Sequence, residues 1–343
     1  MAHLISWQLK TNQYKGQLHC HTTNSDGAHS PTVLLEAYRD AGYDFVCITD
    51  HAFLTTQQNV SDIVHIPSVE ETLGAVNWSD GKHLLNINAT NVRGYPNYVD
   101  TQTTINNIIA DGGMAGLAHP LWQDPESHAY NWNNDAIDGV VGFEFMEIVN
   151  TVLWARGLKT LAQVTYTEQY DHALSTGKKC WCLAVDDMHI IGEGDLDKGW
   201  VVVNANSNSQ SDILDALKTG NFYSSIGGVI SDITLNVNTI TISVPVSSTI
   251  KWIKKNGEVI KTTTGVLEDN YTVQGDELYV RMEVDSGTDN LAWSQPLFIT
   301  PIDLQKAQAV EKIGGVITPI QSQFVKSNGA IISSQGYVGV GEI

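Results

Sequence analysis

His19-Cys20-His21 carries the sharpest chemical signal in the chain. On an extended segment residues i and i+2 point to one face, so two imidazoles can converge on one ion while Cys20 turns into the core. Asp187-Met188-His189 repeats the spacing after another apolar run, with a carboxylate in place of one imidazole. Between the two motifs come Asp26 in a Ser-Asp-Gly loop, Thr49-Asp50-His51, Glu70, His83 and the Ala118-His119-Pro120 turn. A lone histidine on an apolar stretch is an ordinary core residue. Two adjacent buried imidazoles are harder to satisfy without a shared ion, and packing alone gives no reason to repeat costly polar side chains at successive strand ends. Imidazole nitrogens with carboxylate oxygens suit zinc, manganese or iron rather than calcium or a thiolate cluster. The residues therefore predict a metal site.

The elements that must position these donors alternate. Strand-like runs fall at Gln17–Thr22, Asp44–Thr49, His83–Ala89, Met114–His119, Val141–Val149, Cys180–Val185 and Trp200–Asn204. Helical spacing lies between several of them. Ser30-Pro31 reads as a cap followed by proline at the first helical position, with Val33, Leu34, Ala37 and Tyr38 as the apolar face. Thr103–Ala110, Leu161–Ser175 and Ser209–Thr219 read the same way. Such alternation predicts an α/β fold with a mostly parallel sheet or barrel, whose chemistry collects at the carboxyl ends of the strands. After Gly228 the period becomes two, over Ile233–Val237, Ile240–Val244 and Leu278–Val284, and Asn256-Gly257 between Ile250–Lys255 and Glu258–Thr262 is a hairpin signal. This predicts a small antiparallel β-sandwich over 229–300. Residues 301–343, rich in Gly, Ser, Gln and Ile without a period, read as an irregular C-terminal tail or an extended, partner-dependent segment.

Composition narrows the partners. The 343 residues are 42% hydrophobic, enough for a sizeable core, and 38 acidic residues against 19 basic ones give a net charge of -19. No basic stripe exists to grip a phosphate backbone, so extended nucleic-acid binding is not expected. A metal site can still reverse the field locally for a small anion. No apolar run reaches the ~20 residues of a membrane span. The opening Met1–Trp7 lacks a basic start and a long apolar stretch, so a cytoplasmic setting is favoured, with export left open. Cys20, Cys47, Cys180 and Cys182 form no C-x-x-C pattern and read as reduced core residues.

His19-x-His21, Asp26, Thr49-Asp50-His51, Ala118-His119-Pro120 and Asp187-x-His189 together resemble, in order, the motifs of the polymerase and histidinol phosphatase (PHP) family. The resemblance covers residues 14–227. It implies a distorted (βα)7 barrel over 1–228 with two or three divalent ions, zinc, manganese or iron, at its mouth. By position His19, His21, Glu70 and Asp187 would hold the first ion. Glu70 would bridge to a second held by His83 and His119, and Asp26, His51 and His189 would hold a third. Glu70 is preferred to Glu71 from the spacing of Ile66-Pro67-Ser68-Val69. Within the family, Leu217–Ser225 and the following β-rich segment look most like the CehA/McbA-like branch.

The expected function is hydrolysis of a small phosphoester, a monoester or diester, by a water bridging two ions. Arg93, Arg156 and His128 are candidates for a positioning cation or a proton donor at the reaction, and Glu147 for fixing the tautomer of a ligand imidazole. Hydrolysis of a non-phosphate ester or carbamate on the same centre is a second reading. A third is a surface-attached assembly protein with an ancillary barrel, with homo-oligomers or larger assemblies formed through the tail.

Overall fold

The computed structural model describes residues 12–73, 81–94, 100–122, 131–236 and 238–299, together with the backbones of three short strands between residues 323 and 337. The chain opens with β1 (Asn12–Gln17), α1 (Pro31–Asp40), β2 (Phe45–Ile48), β3 (Val64–Pro67), β4 (Val69–Leu73) and β5 (Lys82–Ile87). It continues through α2 (Thr101–Ala110), β6 (Met114–Leu117), α3 (Asn134–Asp138), β7 (Phe145–Asn150), α4 (Val152–Ala155) and α5 (Thr167–Ser175). Next come β8 (Trp181–Val185), β9 (Trp200–Ala205), α6 (Gln210–Lys218) and β10 (Phe222–Ser225). The fold is mixed α/β. α1 starts where expected, with the Ser30 hydroxyl accepting from the Val33 N–H and Pro31 opening the helix. Its buried face is Leu34, Leu35 and Tyr38, while Val33 is left exposed.

Two sheets carry the donors. In one, β1, β2 and β3 run parallel and β9 and β10 add antiparallel strands beyond β1. In the other, β6, β7 and β8 run parallel, and β5 lies antiparallel between β4 and β6. Among the described residues no single ladder closes the two into a ring. The isolated bridges Cys20↔Met188 and His51↔Glu70, the Ala89 N–H donating to Pro67 O at 2.8 Å, and side chains join the two. The Gln295 amide accepts from Cys182 N and donates to Cys182 O, and Ser224 Oγ accepts from Ala184 N, so side chains satisfy the free edge of β8. Leu18, Phe45 and Ile66 from one sheet share a core with Leu85, Phe145 and Leu183 from the other. Each such fully buried side chain contributes roughly 1.5–3 kcal/mol. The four cysteines are buried and unpaired.

Several expected boundaries shift. The strand expected over Gln17–Thr22 ends at Gln17, because the Gln17 side chain accepts from Leu18 N and His19 N and the ladder stops there. The helix expected over Leu161–Ser175 is a 3-10 turn at Leu161–Gln163 followed by α5. β3, β4 and β10 had no expected counterpart. They are four or five residues long, with β4 and β10 buried throughout and β3 at His65 and Ile66, so they show no period to read.

The later strands are β11 (Asp232–Asn236), β12 (Thr239–Lys254), β13 (Glu258–Thr272), β14 (Tyr279–Asp285), β15 (Leu291–Ser294) and β16 (Leu297–Phe298). They do not start a separate sheet: β15 pairs with β10, so the first sheet runs on into them. Ile240–Val244 and Ile250–Lys255, expected as two strands, are one, interrupted by register shifts around Ser243–Ser248. Bulges of this kind bend a strand. Accordingly Ile240 and Ile242 before the shift and Ile250 and Trp252 after it share one core with Val280, Met282 and Val284. The Asn256-Gly257 turn forms as expected, with φ of 64° and 69°. The tail expected to be irregular contains a small antiparallel ladder of β17 (Gln323–Val325), β18 (Ile331–Ser333) and β19 (Gly336–Tyr337). Among the described residues no helix is long and apolar enough to cross a membrane.

Candidate metal centre

The two i, i+2 motifs lie side by side. His21 N donates to Met188 O at 2.8 Å and Asp187 N donates to His19 O at 3.0 Å, just past the ends of β1 and β8. His51 follows β2 and His119 follows β6, so four loops deliver donors to one end of the fold. β5 runs against its neighbours, with Leu84 opposite Leu117, and this brings His83 near its start to the same end. His119 and Asp187 adopt φ of 27° and 53°. Left-handed backbone at non-glycine residues is strained and collects at functional sites.

All nine expected donors come together in overlapping groups. Glu70 is the hub. Its Oε2 lies 3.0 Å from His19 Nε2, 3.2 Å from His21 Nε2 and 3.2 Å from His51 Nδ1. Its Oε1 lies 2.7 Å from His83 Nδ1 and 2.9 Å from His119 Nε2. Asp187 Oδ1 faces His19 Nε2 at 3.2 Å and His21 Nε2 at 3.1 Å. A looser group surrounds Asp26, whose Oδ2 is 3.7 Å from His51 Nε2 and 3.5 Å from His189 Nε2. Glu71, by strand alternation, turns away and accepts from Arg93 N, Gly94 N and Asn86 Nδ2.

The donor set fits divalent ions. Two ligand atoms on one ion at about 2.1 Å lie about 3.0–3.4 Å apart, which is the spacing of the tighter groups. His19 Nδ1 donates to Glu147 Oε1 at 2.6 Å, so its Nε2 is the ring atom left to ligate an ion, and that atom faces His21 Nε2 at 3.2 Å. Two imidazole nitrogens so placed among carboxylates suit coordination of an ion better than a core hydrogen-bond pattern. His189 Nδ1 donates to the Asp187 carbonyl at 2.8 Å, leaving its Nε2 toward Asp26.

The electrostatics draw positive charge inward. Burial alone would push His19 and His21 down, yet the carboxylates of Asp187 and Glu70 raise His19 well above its ordinary value and His21 to about 10. Burial would raise Glu70 and Asp187, but the surrounding imidazoles hold both well below the usual carboxylate range. His51 goes the other way, to about 3, because its burial outweighs the attraction of Glu70 and because His21 and His83 lie beside it.

Supporting groups surround the donors. Glu147, named from its strand, is fully buried; its Oε2 accepts from His119 N at 2.6 Å and from Asn150 Nδ2 at 3.0 Å. Asn150 Nδ2 also reaches Asp187 Oδ2 at 3.1 Å. Asp50 accepts from Thr22 N and from the hydroxyls of Thr22, Ser25 and Thr55, clasping the loop that carries Asp26. Asn150 and Asp195 had no sequence signal, since neither lies in a motif. Asp50 stood in plain view beside His51.

The two candidate arginines each meet a carboxylate. The Arg93 guanidinium is taken up by Asp111, on the side of β4 to which Glu71 turns. Arg156 pairs with Asp195 through Nε at 2.9 Å and an amino nitrogen at 2.6 Å, with Glu193 also 3.3 Å from Nε. Both arginines are committed to carboxylates. His128 lies outside the described residues.

No family model matches the sequence, and no curated protein matches it. Solved structures do. A two-domain protein containing a predicted PHP-like metal-dependent phosphoesterase from Bacteroides vulgatus ATCC 8482 aligns over 83% of this chain and 94% of its own, at 17% identity and a TM-score of 0.47. An amidohydrolase from Chromobacterium violaceum, described with bound sulfate and no metal, aligns over 52% of this chain and 89% of its own, at 15% identity and a TM-score of 0.36. The lesion-specific endonuclease PfuEndoQ from Pyrococcus furiosus aligns over 60% of this chain and 56% of its own, at 12% identity and a TM-score of 0.38. All three TM-scores are below 0.5, so the chemistry of this chain rests on its own donor set.

Proposed function

We propose that the chain is a metal-dependent hydrolase of phosphoester bonds, with its site on a distorted (βα)7 barrel of PHP type over 1–228 that carries a β-sandwich over 229–300. The observation that carries this reading is the Glu70 carboxylate, which offers one oxygen to His83 and His119 and the other to His19, His21 and His51. A carboxylate so placed would suit a bridge between two ions. His19, His21 and Asp187 would complete the first site, His83 and His119 the second, and Asp26, His51 and His189 a third. The narrower CehA/McbA-like placement rests on the resemblance of Leu217–Ser225 and the strands that follow.

Divalent ions bound there would polarise a phosphoryl oxygen and acidify a water. The chain's own contribution is orientation. Glu147 holds the proton at His19 Nδ1 and keeps Nε2 free to ligate. Asn150 holds Asp187 Oδ2, which leaves Oδ1 toward His19 and His21. His19 and His21 are fully buried, whereas the side chains of Asp26, His189 and His83 are 32%, 19% and 13% exposed, so substrate approaches past the last three.

A screen of phosphomonoesters, phosphodiesters, carboxyl esters and carbamates, with zinc, manganese or iron added back to stripped protein, tests the reading. Phosphoester turnover lost in His19→Ala and Asp187→Ala, with near-UV circular dichroism retained, is expected. Fewer than about one ion per chain in protein prepared without chelators would sink it. The commitment of Arg93 and Arg156 to carboxylates favours a second reading, an uncharged ester or carbamate as substrate, and the same screen separates the two.

A further inference from the structure

We infer that Arg156 is a positioning residue for the outermost ion: through Asp195 it fixes the backbone that presents His189. The inference rests on the metal-dependent reading above. The Asp195 carboxylate is fully buried between two partners. One is the Arg156 guanidinium, which meets it through two nitrogens at 2.9 and 2.6 Å. The other is the loop after β8: Asp195 Oδ2 accepts from His189 N at 3.2 Å and from Ile190 N at 3.0 Å. Bidentate guanidinium–carboxylate pairs are directional, so the carboxylate plane is set by Arg156, which closes α4 in the neighbouring loop.

The consequence falls on one donor group. Asp187, from the same loop, is held by Asn150 and by its hydrogen bond to His19 O, independently of Asp195. His189 has its ring fixed by the Asp187 carbonyl and its backbone N–H by Asp195. The group it serves is also the loosest: its ligand atoms lie 3.5–3.7 Å apart, with Asp26 partly exposed. A loosely spaced ligand group depends on the hydrogen bonds that hold its ligands in place. Arg156 therefore acts on metal occupancy at the mouth, and a direct salt bridge to a substrate phosphate is not its task.

The test is Co²⁺ titration of the stripped full-length protein, followed by calorimetry and by d–d absorption, for the native chain, Arg156→Gln and Arg156→Lys. Three binding events are expected in the native chain. In Arg156→Gln the weakest should lose about 10–100-fold in affinity while the tighter two stay within about twofold, and Arg156→Lys should recover part of the loss. If Arg156→Gln does not fold, Arg156→Lys decides on the same criterion, since it keeps the charge and loses the fork. Equal weakening of all events, or unchanged metal binding with a raised KM for an anionic ester, overturns the inference; the first makes the pair merely structural and the second makes Arg156 a substrate clamp. Absence of Co²⁺ binding by the native chain defeats the metal-dependent reading itself and this inference with it.

Discussion

Because successive side chains of a strand point to opposite faces, Glu70 enters the imidazole cluster while its neighbour Glu71 anchors the loop at Arg93 and Gly94. The two should respond oppositely to the same isosteric change. Glu70→Gln should lower metal content by about one ion per chain or more, whereas Glu71→Gln should keep native metal content and lose about 1–3 kcal/mol of stability, because a buried acceptor of backbone N–H groups is lost. Metal analysis and urea denaturation of both variants check this. His65 offers a pH signature away from the donors. Burial lowers it to about 4, against about 6.5 in an unfolded chain, and its Nδ1 accepts from Gln58 N. As pH falls the unfolded chain takes the proton first. The stability held by neutral His65 is thus complete above about pH 6.5 and is lost as pH falls toward 4, by up to about 3 kcal/mol. In chelated protein, His65→Gln should show a shallower loss of stability between those pH values; parallel urea midpoints for the two proteins would refute the assignment.

Between elements, a buried polar tie joins α5 to β14. Arg281 meets Asp171 through Nε at 2.8 Å and an amino nitrogen at 2.6 Å, the Tyr279 hydroxyl donates to the same carboxylate, and both charged partners are buried. The β12–β13 turn docks on the same helix, with Asn256 N donating to Ser175 Oγ; a Cβ at Gly257 would lie 2.9 Å from Asp171 Oδ2. Removing one member of a buried pair strands the other. Arg281→Met should therefore destabilise the protein by about 3–5 kcal/mol without altering metal content, measured by denaturant titration beside metal analysis. A loss below about 1 kcal/mol would mean that Asp171 is satisfied by Tyr279 alone.

At the scale of the molecule, the sheet that begins at β3 and passes through β1, β9 and β10 continues through β15 into β14 and β12. Gln295 also satisfies both backbone groups of Cys182 in β8. The strands after 228 are thus part of the structure that carries the donors, and the chelated full chain should melt in one transition with equal calorimetric and van't Hoff enthalpies. A chain ending at Gly228 should lose its near-UV signal. Two separated transitions, or a truncated chain that folds and binds metal as the whole protein does, would show the later strands to be detachable.

The donor residues were legible in the sequence because coordination chemistry is strict about residue type. His19-x-His21, Asp187-x-His189 and the histidines after apolar runs name the candidate donors without any knowledge of pairing. The Asn256-Gly257 turn and the Ser30-Pro31 helix start were legible for a similar reason, since both are decided within a few residues. Short strands such as β4 and β10 were not, because full burial on both faces erases the alternation that marks a strand. Nor could one sequence say where Arg93 and Arg156 point: each is a cation near a motif until the fold brings Asp111 or Asp195 against it. Composition and spacing determined which atoms can hold a metal. How the imidazoles gather around Glu70, which carboxylate each arginine meets, and that one sheet unites the two halves were decided by register and packing between segments far apart in the chain, where no local pattern reaches.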